Sequence, residues 1–155
     1  MAPILCIQAF EVLIGLTGLA GSGKSTIAKA LGYPVLSFAD PIRDQLGITK
    51  ADPHYRKKMQ DAGMWGRTHF GEDVWVENLR LRLPQGYAVI DDVRFANEAE
   101  FIRERGVLVH ILRFGTDKLN HISEQGVTMK GGDCVEYNNG SILDAVKNLK
   151  WQLGL

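Results

Sequence analysis

The sequence predicts one α/β domain built on a five-stranded parallel sheet with helices on both faces. Three observations predict it. Short apolar runs rich in β-branched residues alternate with segments of helical period, the order expected of parallel strands joined by right-handed crossovers. The first run leads directly into a glycine-rich turn, Gly18 to Thr26. The chain has 155 residues and no internal repeat, linker or low-complexity tract, which is the usual extent of a single domain, here 1–155.

Val12 to Thr17 (VLIGLT) is apolar at successive positions and reads as a central strand buried on both faces. Ile27, Ala30 and Leu31 give a helical stripe that stops at Gly32, with Pro34 two residues beyond. Val35 to Phe38 is a second strand, and Asp40 with Pro41 opens the next helix, Asp40 as N-cap and proline in the first turn. Segments 53–62 and 73–83 read as two helices separated by the glycine-punctuated stretch Gly63 to Gly71. Tyr87 to Ile90 is a third strand that ends in Asp91 and Asp92. Phe95 to Arg105 is an amphipathic helix closed by Gly106, and Val107 to Leu112 is a fourth strand. Residues 114–133 are polar, hold four glycines and sustain no period, so a surface loop or short lid is expected. Val135 to Tyr137 is a fifth strand, and Ile142, Val146, Leu149 and Leu153 share one face of a C-terminal helix.

Eighteen Lys and Arg balance eighteen Asp and Glu, so no global field draws in nucleic acid or an anionic membrane, and neither is expected as a partner. Cys6 and Cys134 lie far apart without CxxC spacing, which predicts reduced, buried thiols rather than a disulfide framework or zinc site. The apolar stretch Ile4 to Leu16 is interrupted by Gln8 and Glu11, follows no basic residue and is shorter than the roughly 20 residues a membrane span needs. It reads as a strand preceded by a loosely attached leader, in a cytoplasmic protein.

Gly18 to Ser25 reads GLAGSGKS, a full GxxxxGK-Ser match in its required setting between a buried strand and a helix. Gly18, Gly21 and Gly23, with Ala20 and Ser22 between them, let the backbone curl so that successive N–H groups face one anion, and the helix start adds its positive dipole end. Lys24 would bring a mobile charge to the β- and γ-phosphates, Ser25 a hard oxygen for Mg²⁺, and Thr26 closes the cradle. Asp91 and Asp92 sit at the C-terminal edge of the sheet, where such folds bind ligands, and one of them is expected to hold Mg²⁺, directly or through water. Phosphoryl transfer also needs cations around a spreading anion. Arg94 and Arg113 end strand segments, while Arg43 and Arg67 lie between the second and third strands, the expected acceptor region at about 36–85. Trp65, Phe70 and Trp75 could stack a base, though Trp75 with Val76 and Leu79 equally forms a core stripe. Met59 and Met64 read as core fillers, and His69 and His121 as loop or surface histidines.

Three segments carry a resemblance: FADPIR at 38–43, DDVRFANE at 91–98 and HISE at 121–124. With the phosphate loop they resemble the deoxynucleoside monophosphate kinases of tailed bacteriophages, a P-loop kinase family of three-layer fold. The resemblance implies that residues from Gly21 to Thr26 bind the phosphates of ATP and that Asp91 or Asp92 organises Mg²⁺. It implies that Asp40, Arg43, Arg67 and Arg94 surround the acceptor nucleotide, that Glu98 braces Arg94, and that Arg113 serves as a lid arginine. Asn138, Asn139 and Gly140 would receive adenine, and His121, Ser123 and Glu124 would belong to the lid, whose other cations are Lys118 and Lys130. Two other readings stay open. The opening IGLTG also resembles dephospho-coenzyme A kinase, in which Asp40 would be the base for a hydroxyl acceptor, and a nucleotide-dependent switch or nucleic-acid-stimulated ATPase would share the loop. The exposed segments 53–83 could form a homodimer face.

Overall fold

The computed structural model describes residues 11–116 and 126–155. Strand β1 (Glu11–Thr17) is followed by α1 (Lys24–Ala30), β2 (Val35–Leu36), α2 (Asp40–Leu46), α3 (Tyr55–Phe70), α4 (Val74–Arg82), β3 (Gly86–Ile90), α5 (Ala96–Arg103), β4 (Gly106–Leu112), β5 (Cys134–Tyr137) and α6 (Ile142–Leu153). The five strands form one parallel sheet in the order β2-β3-β1-β4-β5. β1 is central, paired on both sides, and its residues from Leu13 to Thr17 are buried, as its unbroken apolar run requires.

Alternation along the strands divides the core in two. Leu13, Ala88, Ile90 and Leu108 face α4 and α5 and pack with Val76, Leu79, Phe101 and Ile102. Ile14, Leu16, Val89, Val109 and Ile111 face α1 and α6 and pack with Ile27, Leu31, Val146 and Leu149. The sheet order reverses at β1, between β3 and β4, so the loops leaving β1 and β3 open a crevice at the carboxyl edge.

Four expectations change. The helix expected to break at Gly63 runs unbroken from Tyr55 to Phe70, because the glycines serve packing. The Trp75 indole N–H donates to the Gly63 carbonyl at 3.0 Å, and a Cβ on Gly66 would collide with the Trp75 ring. Strand β2 stops at Leu36 rather than Phe38, since the Phe38 and Ala39 amides turn to Asp92 at 2.7 and 3.0 Å. Ala39, not Asp40, is the N-cap of α2; Asp40 accepts instead from the Ser37 N–H just upstream, at 2.8 Å. Cys134 is a free thiol but only half-buried, enough for burial, with Asp133 nearby, to push its pKa up.

Residues 114–116 and 126–133 are neither helix nor strand. The second stretch is tied down at its end. Asp133 accepts from Arg103 Nε and Nη2 at 2.9 and 2.6 Å, from the Lys130 N–H at 2.9 Å, and lies 2.8 Å from His110 Nε2. The Arg103 guanidinium holds the Asp133 carboxyl well below the usual carboxylate range. The leader, Cys6, Lys118, His121, Ser123 and Glu124 lie outside the described residues.

Candidate active site

The loop after β1 is shaped by its glycines and by one side chain beneath it. Gly21 and Gly23 have φ of 79° and 93°, left-handed conformations that disfavour a Cβ. A Cβ on Gly23 would also collide with Asn138 Nδ2. That amide is buried and donates to the Ser22 carbonyl at 2.8 Å, so the loop after β5 braces the phosphate loop from below. Asn138 therefore acts through the loop rather than facing adenine as expected. Asn139 accepts from the Phe114 N–H at 2.8 Å, joining the same turn to the chain after β4. Gly140 faces open space. Lys24 curls back over the loop, donating to the Gly18 and Leu19 carbonyls at 2.6 and 3.0 Å. The Ser22 hydroxyl is fully buried and has no partner among the described residues.

From this loop a cleft of about 670 Å³ extends over the carboxyl edge to α2, α3 and the start of α5. Gly21, Gly23, Lys24, Ser25 and Thr26 line one wall, Arg43, Arg67, Arg94 and Glu98 the opposite side, and Asp91 and Asp92 the floor.

The floor aspartates differ in what they hold. Asp91 accepts from Ser37 Oγ at 2.5 Å. Asp92 uses both oxygens on the Phe38 and Ala39 amides, which straps the turn before α2 to the end of β3. Burial, then the neighbouring Glu98 and Asp91 charges, raise the Asp92 pKa to about 7, against those two amides.

The opposite side is a chain of ion pairs. Glu98, 2% exposed, accepts from Arg67 Nη2 at 2.5 Å and from the Arg94 and Phe95 backbone N–H groups at 2.8 and 3.1 Å. Burial pushes the Glu98 pKa up, while the Arg94 amide and Arg67 pull it down. Glu98 thus braces Arg94 through its main chain. Arg67 also donates to the Glu72 carbonyl at 2.9 Å and stacks over Phe95 at 3.8 Å. Asp40 accepts from Arg43 Nη1 at 2.6 Å, and Arg43 Nε donates to the Tyr55 hydroxyl at 2.9 Å. The Tyr55 bond chiefly, with Asp40, raises the Arg43 pKa against the effect of burial.

The structure therefore brings Lys24, Ser25, Asp91, Asp92, Arg43, Arg67, Arg94, Glu98 and Trp75 to one cleft. It does not bring Arg113 there. Leu112, Arg113 and Phe114 are exposed as the chain leaves the sheet, and Arg113 is not among the cleft residues. Trp75 is anchored to Gly63 and packs on the core while forming part of the wall. Trp65 stacks on His69 at 4.3 Å, with Phe70 at 5.5 Å, outside the cleft. Met59 and Met64 line the cleft instead of filling the core. Sequence reasoning passed over Ser37, Lys50, Tyr55, Arg56 and Arg82. Ser37 had one usable signal, a hydroxyl at the carboxyl end of a strand; the others had none, because their positions depend on how α3 and α4 pack.

A glycine cradle opening a helix, carboxylates at the end of the neighbouring strand and a five-stranded parallel sheet define a P-loop nucleotide-binding domain. Solved structures share the fold: APS kinase of Mycobacterium tuberculosis (TM-score 0.56, 15% identical, covering 94% of this chain and 98% of that one) and shikimate kinase of Aquifex aeolicus (TM-score 0.54, 14% identical, 92% and 96%). A family model described as deoxynucleotide monophosphate kinase matches residues 64–149. A protein of Acanthamoeba polyphaga mimivirus named as a deoxynucleotide monophosphate kinase is 32% identical over 174 aligned positions, covering 84% of this chain and 90% of the relative. The chain belongs to the deoxynucleotide monophosphate kinase family and is a nucleotide kinase. Neither the dephospho-coenzyme A kinase reading nor the switch reading is favoured by this membership. The phosphate loop lies outside the segment that the family model matches.

Proposed function

We propose that the protein transfers the γ-phosphoryl group of ATP to a deoxynucleoside monophosphate, giving the diphosphate and ADP, as a cytoplasmic enzyme. The observation that carries the reading is the single cleft walled by the phosphate loop on one side and by Arg43, Arg67 and Arg94 on the other. Gly21 to Thr26 cradle the phosphates of ATP, and Lys24 exchanges the Gly18 and Leu19 carbonyls for phosphate oxygens. Arg43 and Arg94 hold the acceptor phosphate, with Arg67 and Glu98 fixing the wall behind them. A phosphate acceptor is already ionised near neutral pH, so the site needs positioning and charge neutralisation rather than a strong base. Asp40 supports this choice. Its oxygens are engaged by Arg43, Arg82 and the Ser37 amide, whereas a general base for a hydroxyl acceptor needs an oxygen open to take the proton.

The residues fit Mg²⁺. Among the described residues no three His, Cys, Asp or Glu side chains form a metal cage, and Mg²⁺ bound with nucleotides usually takes only one or two protein oxygens. Ser25 and Asp91 would supply them, since both Asp92 oxygens are occupied by amides. Bound there, Mg²⁺ would neutralise charge on the transferred group.

The test is ADP release with ATP and Mg²⁺ against a panel of deoxynucleoside monophosphates, their ribose counterparts and dephospho-coenzyme A, with products separated by chromatography. Deoxynucleoside diphosphate formation is expected. Activity with dephospho-coenzyme A alone would overturn the reading and return Asp40 to the role of base.

A further inference from the structure

Arg82, the last residue of α4, does not line the cleft, yet it touches both main-chain and side-chain parts of the acceptor wall. Its Nη2 donates to the Ser37 carbonyl at 3.0 Å and its Nη1 to Asp40 Oδ2 at 3.4 Å. Its Nε is held by Asn78 Oδ1, one turn earlier on the same helix, at 2.8 Å. One guanidinium therefore grips Ser37 and Asp40 together, using the fork geometry that lysine lacks.

Each gripped residue has a partner at the reacting end of the cleft. Ser37 donates through Oγ to Asp91, and Asp40 accepts from Arg43, which continues to Tyr55. We propose that Arg82 is a positioning residue for the acceptor subsite, setting Arg43 through Asp40 and the β2–α2 turn through the Ser37 carbonyl. This rests on the reading of Arg43 as an acceptor ligand. Arg82 adds charge behind the site while Asp40 offsets it, so its contribution is geometric. Loosening a supporting contact of this kind weakens binding of the ligand it serves and leaves the donor side alone.

The test is two-substrate steady-state kinetics on Arg82→Met, Arg82→Lys, Arg43→Ala and the Arg43→Ala/Arg82→Met double variant, with thermal unfolding of each. Arg82→Met is expected to raise KM for the deoxynucleoside monophosphate about tenfold while KM for ATP stays within about twofold. Arg82→Lys, which can keep only one of the two contacts, should fall between. In the double variant the second change should add less than about twofold to the first, since both act on one contact. An unchanged acceptor KM in a folded Arg82→Met, or equal rises for both substrates, overturns the proposal. If Arg43→Ala itself leaves acceptor KM unchanged, the underlying reading of the acceptor wall fails instead. Should Arg82→Met not fold, Arg82→Lys and Asn78→Ala, which frees the guanidinium from its helix, replace it: a rise in acceptor KM alone supports the proposal, and no rise or equal rises for both substrates overturns it.

Discussion

The two walls of the cleft are built differently. The phosphate wall is made of backbone: consecutive residues from Gly18 to Thr26, bent by glycine and propped by a single amide from Asn138. The acceptor wall is made of side chains drawn from α2, α3, α4 and α5, fixed to one another by ion pairs such as Arg67 with Glu98, 31 residues apart. A backbone cradle carries its chemistry in local sequence and tolerates changes in the rest of the chain. A side-chain wall depends on packing, so its members answer to one another more than to any motif.

That contrast can be broken first at its most costly point. Arg67→Met leaves the Glu98 carboxylate buried without its ion pair, and breaking a buried pair typically costs about 3–5 kcal/mol. Chemical denaturation should show a loss of that size. Glu98→Gln should cost less, because an amide oxygen still accepts from the Arg94 and Phe95 N–H groups. Equal losses would mean that the missing ion pair itself, and not the buried charge left behind, sets the cost.

On the phosphate wall the expected cost is to rate rather than to folding. Lys24 donates to two loop carbonyls, and Lys24→Ala should lose about 10²–10³-fold in kcat, the usual effect of removing one transition-state donor. A variant with wild-type turnover would remove Lys24 from the chemistry.

Asn138→Ala sharpens the comparison, since here the backbone wall relies on a distant side chain. Leaving the Ser22 carbonyl unpaired should cost about 1–3 kcal/mol in stability and weaken ATP binding, without affecting acceptor binding. Weakened acceptor binding instead would join the two walls into one unit.

The effect most remote from the chemistry lies outside the cleft, where Asp133 meets Arg103, His110 and the Lys130 amide, with Glu100 sharing Arg103. Its folded pKa is depressed by Arg103, so the ionised form stabilises the fold above the unfolded value of about 3.9, and that gain is lost as pH falls toward the folded value. The difference in unfolding temperature between wild type and Asp133→Asn should be full at pH 5 and shrink toward pH 2. A difference that grows on acidification would contradict the direction of the shift.

What could be read from the sequence follows the same division. The sheet, the phosphate loop and the Asp91–Asp92 floor were legible because short apolar runs and a contiguous motif are local signals. Arg43, Arg67 and Arg94 are singled out by position, and the resemblance adds Asp40 and the acceptor role; the cleft gathers the three arginines, and Asp40 stands behind Arg43 as its partner. The role of Glu98 was half legible: it braces Arg94, but at the main chain, and its side-chain partner is Arg67. Gly63 and Gly66 misled because glycine in a helix signals a break or a close approach alike, and only the position of Trp75 separates the two. Arg113 shows the limit of a strand-end position as a signal: Leu112, Arg113 and Phe114 are exposed, and Arg113 does not line the cleft. Arg82 carried no sequence signal at all, being one charge at the end of a helix whose contacts are 42 and 45 residues away.

The division of labour between the walls is tested most directly by equilibrium titration of Gly23→Ala and Arg43→Ala with an ATP analogue and, separately, with a deoxynucleoside monophosphate. A methyl group at Gly23 collides with Asn138 in a backbone conformation that disfavours it, so Gly23→Ala should weaken the analogue by about tenfold or more and leave the monophosphate within about twofold. Arg43→Ala should do the reverse. Both variants weakening the same ligand, or each weakening both equally, would contradict the assignment of one wall to the donor and the other to the acceptor.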